Sequence, residues 1–182
     1  MTKLVNRLHL GLTMAIMVVG MMLTTAAVHA DGFEVPRGGA NAKADHIIVE
    51  KAARRLSLYA EGSLLRRYQV ALGGNPAGPK RREGDRRTPE GVYLITDRNA
   101  DSAYHRSLRI SYPSLMDASR ALQAGYNPGG QIMIHGIGAN RPDLRRLHGR
   151  VDWTDGCIAV TDAEMDEIWA LVDEGTLIDI RP

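Results

Sequence analysis

The chain has 182 residues, with 23 lysines and arginines against 21 aspartates and glutamates, and so small an excess gives no electrostatic footprint for nucleic-acid binding. Lys3 and Arg7 account for that excess, leaving 21 basic residues against 21 acidic ones in the rest of the chain. A single cysteine, Cys157, excludes an internal disulfide.

The first thirty residues read as a secretory signal. Lys3 and Arg7 form a positive start, Leu8 to Leu23 is almost wholly apolar, and Val28-His29-Ala30 offers the small residues that place a cut after Ala30. An uncleaved inner-membrane anchor is the second reading, since the apolar run approaches the lower length of a spanning helix. No cysteine follows the run, which excludes a lipoprotein anchor. Residues 31–45 mix Gly, Pro and charge without periodicity and read as a flexible linker. The remaining residues, 46–182, suffice for one domain with its own core.

That domain opens as a β-meander: Ile47 to Val49, Leu56 to Tyr59 and Leu64 to Leu72, with Glu61-Gly62 as a tight turn. Gly73 to Gly91 is dense in Gly, Pro and charge and reads as a loop. Short strands are expected at Val92 to Ile95 and Leu108 to Tyr112. Met116 to Leu122 reads as a helix that Gly125 ends. Asn127-Pro128-Gly129-Gly130 is a turn leading into a strand, Gln131 to His135, whose apolar run implies burial on both faces. Arg141 to Arg146 reads as a loop over the site. Thr161 and Glu164 form a capping box for a helix with Met165, Ile168, Trp169 and Val172 at helical spacing; Gly175 is placed to end it, and Thr176 to Ile180 returns as a strand.

Two segments carry chemistry. His135 stands at the end of a buried strand with Gly136 after it, and Cys157 follows Gly156, where a sharp turn can aim backbone amides at a developing oxyanion. A free thiol titrates near 8.5, so an imidazole that accepts its proton increases the nucleophile. A structural alternative stands beside this one, in which His135 satisfies a carbonyl and Cys157 fills a gap in the core. A zinc site built from His135, His148, Asp152 and Asp155 is set aside, because the chain lacks any closely spaced ligand pair. No metal or other cofactor is expected.

Four blocks in order carry a family resemblance: Gly84-Asp85-Arg86-Arg87-Thr88-Pro89-Glu90-Gly91 with Tyr93, then Asn127 to Gly130, then Ile134-His135-Gly136, then Thr154-Asp155-Gly156-Cys157. From about His46 to Ile180 the sequence resembles the L,D-transpeptidase catalytic domain (YkuD-type), and its Gly-Cys-Ile-Ala-Val-Thr-Asp run resembles the YafK-like branch. The resemblance implies a mainly β fold with a few helices (α+β), sandwich- or barrel-like. It implies that Cys157 attacks a stem tetrapeptide of peptidoglycan at diaminopimelate, releases D-alanine and holds the acyl group as a thioester. An amine, from a second stem peptide or a lipoprotein lysine, then takes the acyl group.

By that match His135 is the base, the Gly136 carbonyl orients it, and amides near Gly156 and Cys157 hold the oxyanion. Thr154 occupies the family's Ser/Thr position. Asp155 stands where the family commonly has histidine, and Ala159 where it commonly has Arg or Asn. A hydrolase that releases lipoprotein or peptide, and a wall-binding module without catalysis, are therefore kept as alternatives. His148, Trp153, Arg86 and Arg87 are candidate substrate contacts; the arginines would take a peptide carboxylate. The chain is expected as a periplasmic monomer.

Overall fold

The computed structural model describes residues 42–182; the signal reading of residues 1–30 and residues 31–41 of the expected linker lie outside the described residues. Three antiparallel strands come first, β1 (Ala44–Glu50), β2 (Arg55–Ala60) and β3 (Ser63–Gln69). The expected meander is present. It starts two residues before His46, with Ala44 already buried.

Next come β4 (Gly91–Ser102), β5 (His105–Ile110) and helix α1 (Leu115–Gln123). Strand β6 (Met133–His135), helix α2 (Pro142–Leu147), strand β7 (Ile158–Ala159), helix α3 (Asp162–Leu171) and strand β8 (Val172–Arg181) complete the chain. The eight strands form one sheet in the order β3-β2-β1-β8-β4-β5-β6-β7. It is curled into a half-barrel, mostly strand, with three helices. Only the β1–β8 and β6–β7 pairs are parallel.

The core follows from strand alternation. Leu58, Ile47, Ile178 and Tyr93 lie in register across β2, β1, β8 and β4, and all four are buried. Residues two apart along a strand share a face, so Leu56, Val49 and Ile180 form the next apolar row. Helix α3, which packs against β5 and β8, adds Met165 and Ile168, both fully buried, to the same core. Its capping box is made as the sequence implies: Glu164 N–H donates to Thr161 Oγ1 at 3.3 Å, and Thr161 N–H donates to a Glu164 carboxylate oxygen at 2.8 Å.

Three expectations need correction. Strand β4 runs twelve residues rather than four. It pairs with β8 through Leu94 and with β5 from Ile95 onward, and its outer half, Thr96 to Asp101, is polar because that hairpin projects beyond the core. Gly175 does not end α3. The helix passes directly into β8 at Val172, and Gly175 lies within β8 where its pairing with β1 shifts register. Arg141 to Arg146 is not a loop but lies in and beside α2, with Pro142 in its first turn and Arg145 and Arg146 in its last.

The long loop between β3 and β4 has no regular structure but is tied down by buried charge. Lys51, 2% exposed, donates to Glu90 Oε1 at 2.7 Å and to the carbonyls of Gly78 at 2.7 Å and Thr88 at 3.0 Å. Burial pushes the Lys51 pKa down, and Glu90 opposes that shift. Lys80 is similarly buried against Asp85 at 2.9 Å. Burial alone would raise the Asp85 pKa, but the amides of Arg81, Arg87 and Arg82 and the Lys80 ammonium bring it down to about 2. Replacing Lys51 by Met should leave Glu90 unpaired in a largely dry site and lower stability by about 3 kcal/mol. Urea melts of the two proteins measure the difference.

Candidate active site

The β6–β7 pairing builds the site. Ile134 pairs with Ile158 and His135 with Ala159 in parallel register. Ile134 and Ile158 belong to the core, so the alternate residues, Met133, His135, Cys157 and Ala159, share the opposite face. Cys157 is thus one diagonal step from His135, with Cα atoms about 8 Å apart at standard strand spacing. That distance is spanned readily by a thiol and an imidazole pointing the same way. Both line a cleft of about 340 Å³ together with Tyr104, Gln131, Met133, Arg141, Leu144, Trp153, Thr154 and Asp155.

His135 is buried, and its Nδ1 lies 2.6 Å from the Gly136 carbonyl oxygen. A carbonyl only accepts, so the neutral ring carries its proton on Nδ1 and keeps the Nε2 lone pair free to take another. The Tyr104 ring lies against it at 4.6 Å and the Trp153 ring meets it edge-on at 5.8 Å. Burial pushes the His135 pKa below its ordinary value, and the Gly136 hydrogen bond partly restores it. Burial likewise pushes the Cys157 thiol up, against a stabilising bond from the Met133 amide. The resting thiol points at the Gln131 carbonyl, 3.5 Å away. Near neutral pH both groups are therefore uncharged at rest.

The turn before Cys157 is organised by Thr154. Its hydroxyl accepts from Gly156 N–H at 3.1 Å and donates to the Cys157 carbonyl at 2.8 Å. Thr154 is itself held by backbone bonds to Leu72 and Gly74. Gly156 has φ +132°, and a Cβ there would stand 2.6 Å from the Arg87 carbonyl oxygen, so only glycine fits this crossing of two chains.

The remaining candidates divide. Trp153, Thr154 and Asp155 reach the cleft, and Arg86 stands at its rim through an ion pair with Asp155 at 3.4 Å. Arg87 does not reach it: its guanidinium lies beside Gly78, and it contributes its carbonyl beneath Gly156. The His148 ring faces the Gln69 carbonyl at 3.2 Å rather than the cleft. Asp152 is committed to Arg54 and to the Leu72 amide.

Sequence reasoning missed Tyr104, Gln131 and Met133, whereas Arg141 and Leu144 come from the segment expected over the site and do line the cleft. Met133 was within reach, because it alternates with the core residues on either side. Tyr104 comes from the β4–β5 turn, and nothing local marks it as a neighbour of His135.

The sequence matches the family model of the L,D-transpeptidase catalytic domain (YkuD) over residues 44–180. The chain belongs to the L,D-transpeptidase family. Among curated proteins, this L,D-transpeptidase family member is similar to the protein named "Putative L,D-transpeptidase YafK" of Escherichia coli K12, 31% identical over 144 residues. That match covers 75% of this chain and 50% of the relative, so the chain spans about half the length of the curated relative. Its fold is like that of the helical cell shape determining protein Pgp2 of Campylobacter jejuni, with TM-score 0.57 and 24% identity over 79% of this chain and 51% of that one. It is also like an L,D-transpeptidase from Mycobacterium smegmatis, with TM-score 0.51 and 14% identity over 76% and 59% of the two chains.

The depressed His135 pKa has a consequence for stability. The unfolded chain takes up a proton on this residue near pH 6.5, whereas the fold resists it to lower pH, so the unfolded state binds more protons and stability falls as pH drops below 6.5. The loss grows until pH reaches the folded pKa and then levels off. In urea melts at pH 7.5 and 5.5, the wild type should lose more stability over that interval than a His135→Asn variant. Equal losses would show that His135 is not the group responsible.

Proposed function

We propose that this chain is an exported, cysteine-dependent acyl-transfer enzyme acting on peptidoglycan stem peptides. The observation that supports it best is the imidazole with a free Nε2 and the lone thiol on one face of the sheet, lining one cleft. Export rests on the basic, apolar and small-residue pattern of the first thirty residues.

In this reading Cys157 Sγ attacks the carbonyl carbon at the L-centre of diaminopimelate while His135 Nε2 takes the thiol proton. Both groups are neutral at rest, so the thiolate forms as attack proceeds rather than standing ready as an ion pair. The Gly156 amide is occupied by Thr154, which leaves the Cys157 amide as the turn's assigned donor to the oxyanion. Collapse expels D-alanine, whose amine takes the proton from His135, and leaves a thioester on Cys157. An amine acceptor, on a second stem peptide or a lipoprotein lysine, then attacks the thioester and returns the enzyme as a monomeric, metal-independent catalyst.

Intact-protein mass after exposure to a carbapenem should show one adduct, absent in Cys157→Ala. A Cys157→Ala protein that still turns over muropeptides excludes the mechanism. Muropeptide turnover should survive EDTA and be lost to iodoacetamide; recovery of EDTA-treated protein on adding zinc would point to metal chemistry instead.

His135→Ala should slow carbapenem acylation by roughly 10²- to 10⁴-fold, whereas His148→Ala, remote from the cleft, should change it little. Acylation rates of the two variants across pH discriminate. A crippled His148→Ala beside a nearly normal His135→Ala would reassign the base.

A further inference from the structure

The Gly136–Ile137 peptide joins the imidazole to a carboxylate on another element. Its carbonyl accepts from His135 Nδ1. Its N–H, contributed by Ile137, donates to Asp162 Oδ1 at 2.8 Å, and the Gly138 N–H donates to the same oxygen at 2.9 Å. The two polar groups of one peptide unit are held in a plane and point in opposite directions, so fixing the N–H fixes the carbonyl. Space is tight enough to enforce this: a Cβ on Gly136 would stand 2.6 Å from Asp162 Oδ1.

Asp162 itself has little freedom. It is in the first turn of α3, directly after the Thr161 cap, and its second oxygen accepts from Arg145 of α2 at 2.6 Å. Burial works against its ionisation, but the amides of Gly138 and Ile137 and the positive charge of Arg145 more than offset this, holding its pKa below the ordinary carboxylate value. It is therefore an anion near neutral pH, and an anion accepting from a peptide N–H makes the carbonyl of that peptide a better acceptor.

We propose that Asp162 is a positioning residue for the His135 imidazole, acting through the Gly136–Ile137 peptide to hold the ring with its proton on Nδ1 and its Nε2 toward the cleft. This rests on the acyl-transfer reading given above. Asp162 does not line the cleft, so its effect must pass through the base. An arrangement of carboxylate, peptide and imidazole thus replaces a direct carboxylate–imidazole bond, and it ties the catalytic strand to the start of α3.

The test is the rate of acylation of Cys157 by a carbapenem, followed by intact-protein mass across pH, on variants whose folding is checked by thermal melts. Charged and titratable groups around His135 and Asp162 are Tyr104, His105 and Arg106 of the β4–β5 hairpin, Arg141 and Arg145 at α2, Asp155 and Cys157 of the turn, and Asp166 of α3. All of these remain in the Asp162 variants.

In Asp162→Ala the Nδ1 bond should weaken, so the imidazole becomes less basic. The acidic limb of the profile then moves to lower pH, and the plateau falls by roughly tenfold or more. Asp162→Asn, which keeps an acceptor oxygen for the two amides, should fall between this variant and the wild type. Arg145→Ala, which leaves those amide bonds in place, should keep the limb where it is.

A folded Asp162→Ala protein with the wild-type limb, whatever its plateau, overturns the inference, as does an Arg145→Ala variant that moves the limb as far as Asp162→Ala. Failure of the broader reading looks different: the wild type would not be acylated, or its acidic limb would survive in His135→Ala, and both proposals would fall together.

Discussion

The site depends on a two-residue strand. Strand β7 consists of Ile158 and Ala159 alone, and its parallel pairing with β6 sets which residues face the core and which face the cleft. Ile134 and Ile158 are fully buried, and that burial fixes the register, because a slip of one residue would turn Cys157 toward the core and Ile158 toward the cleft. Two buried isoleucines thus hold Cys157 on the same face of the sheet as His135, one diagonal step away. So short a strand cannot hold itself. Ala71 therefore bridges Ala159 from the other side, with backbone bonds of 2.9 and 2.8 Å.

Around this pairing the molecule uses backbone groups and buried ions where a larger protein could use more core. The Thr154 hydroxyl braces the turn before Cys157. Lys51, from the end of β1, reaches the carbonyls of the 73–90 loop, and the Arg86 and Arg87 carbonyls of that loop pack against Gly73 and Gly156. The rim of the cleft is irregular in backbone form yet anchored to the central sheet. Unregistered loops are ordinarily the most mobile parts of a fold; here buried charge substitutes for secondary structure.

The parts of the fold written in local sequence were legible. The meander, both C-terminal elements and the Thr161 capping box follow from periodicity and caps, which act within a few residues. His135 and Cys157 stood out in the sequence as a strand-end histidine and a lone thiol, and the structure brings both to one cleft. What local sequence does not contain is partnership across the fold. The β4–β5 hairpin brings Tyr104 onto His135, the polar outer half of β4 carries no apolar pattern, and Val172 continues a helical spacing although its backbone is extended. Arg87 and His148 were placed by proximity in sequence to the right blocks, but their side chains are drawn to Gly78 and Gln69 instead.

The raised Cys157 pKa also affects how the protein survives chemically. Sulfenylation and disulfide exchange both proceed through the thiolate, so a thiol that burial keeps protonated is oxidised slowly. The chain has no second cysteine that could rescue a sulfenic acid by forming a disulfide with it, and further oxidation would be irreversible. Desolvation that keeps the Cys157 thiol protonated therefore also preserves it.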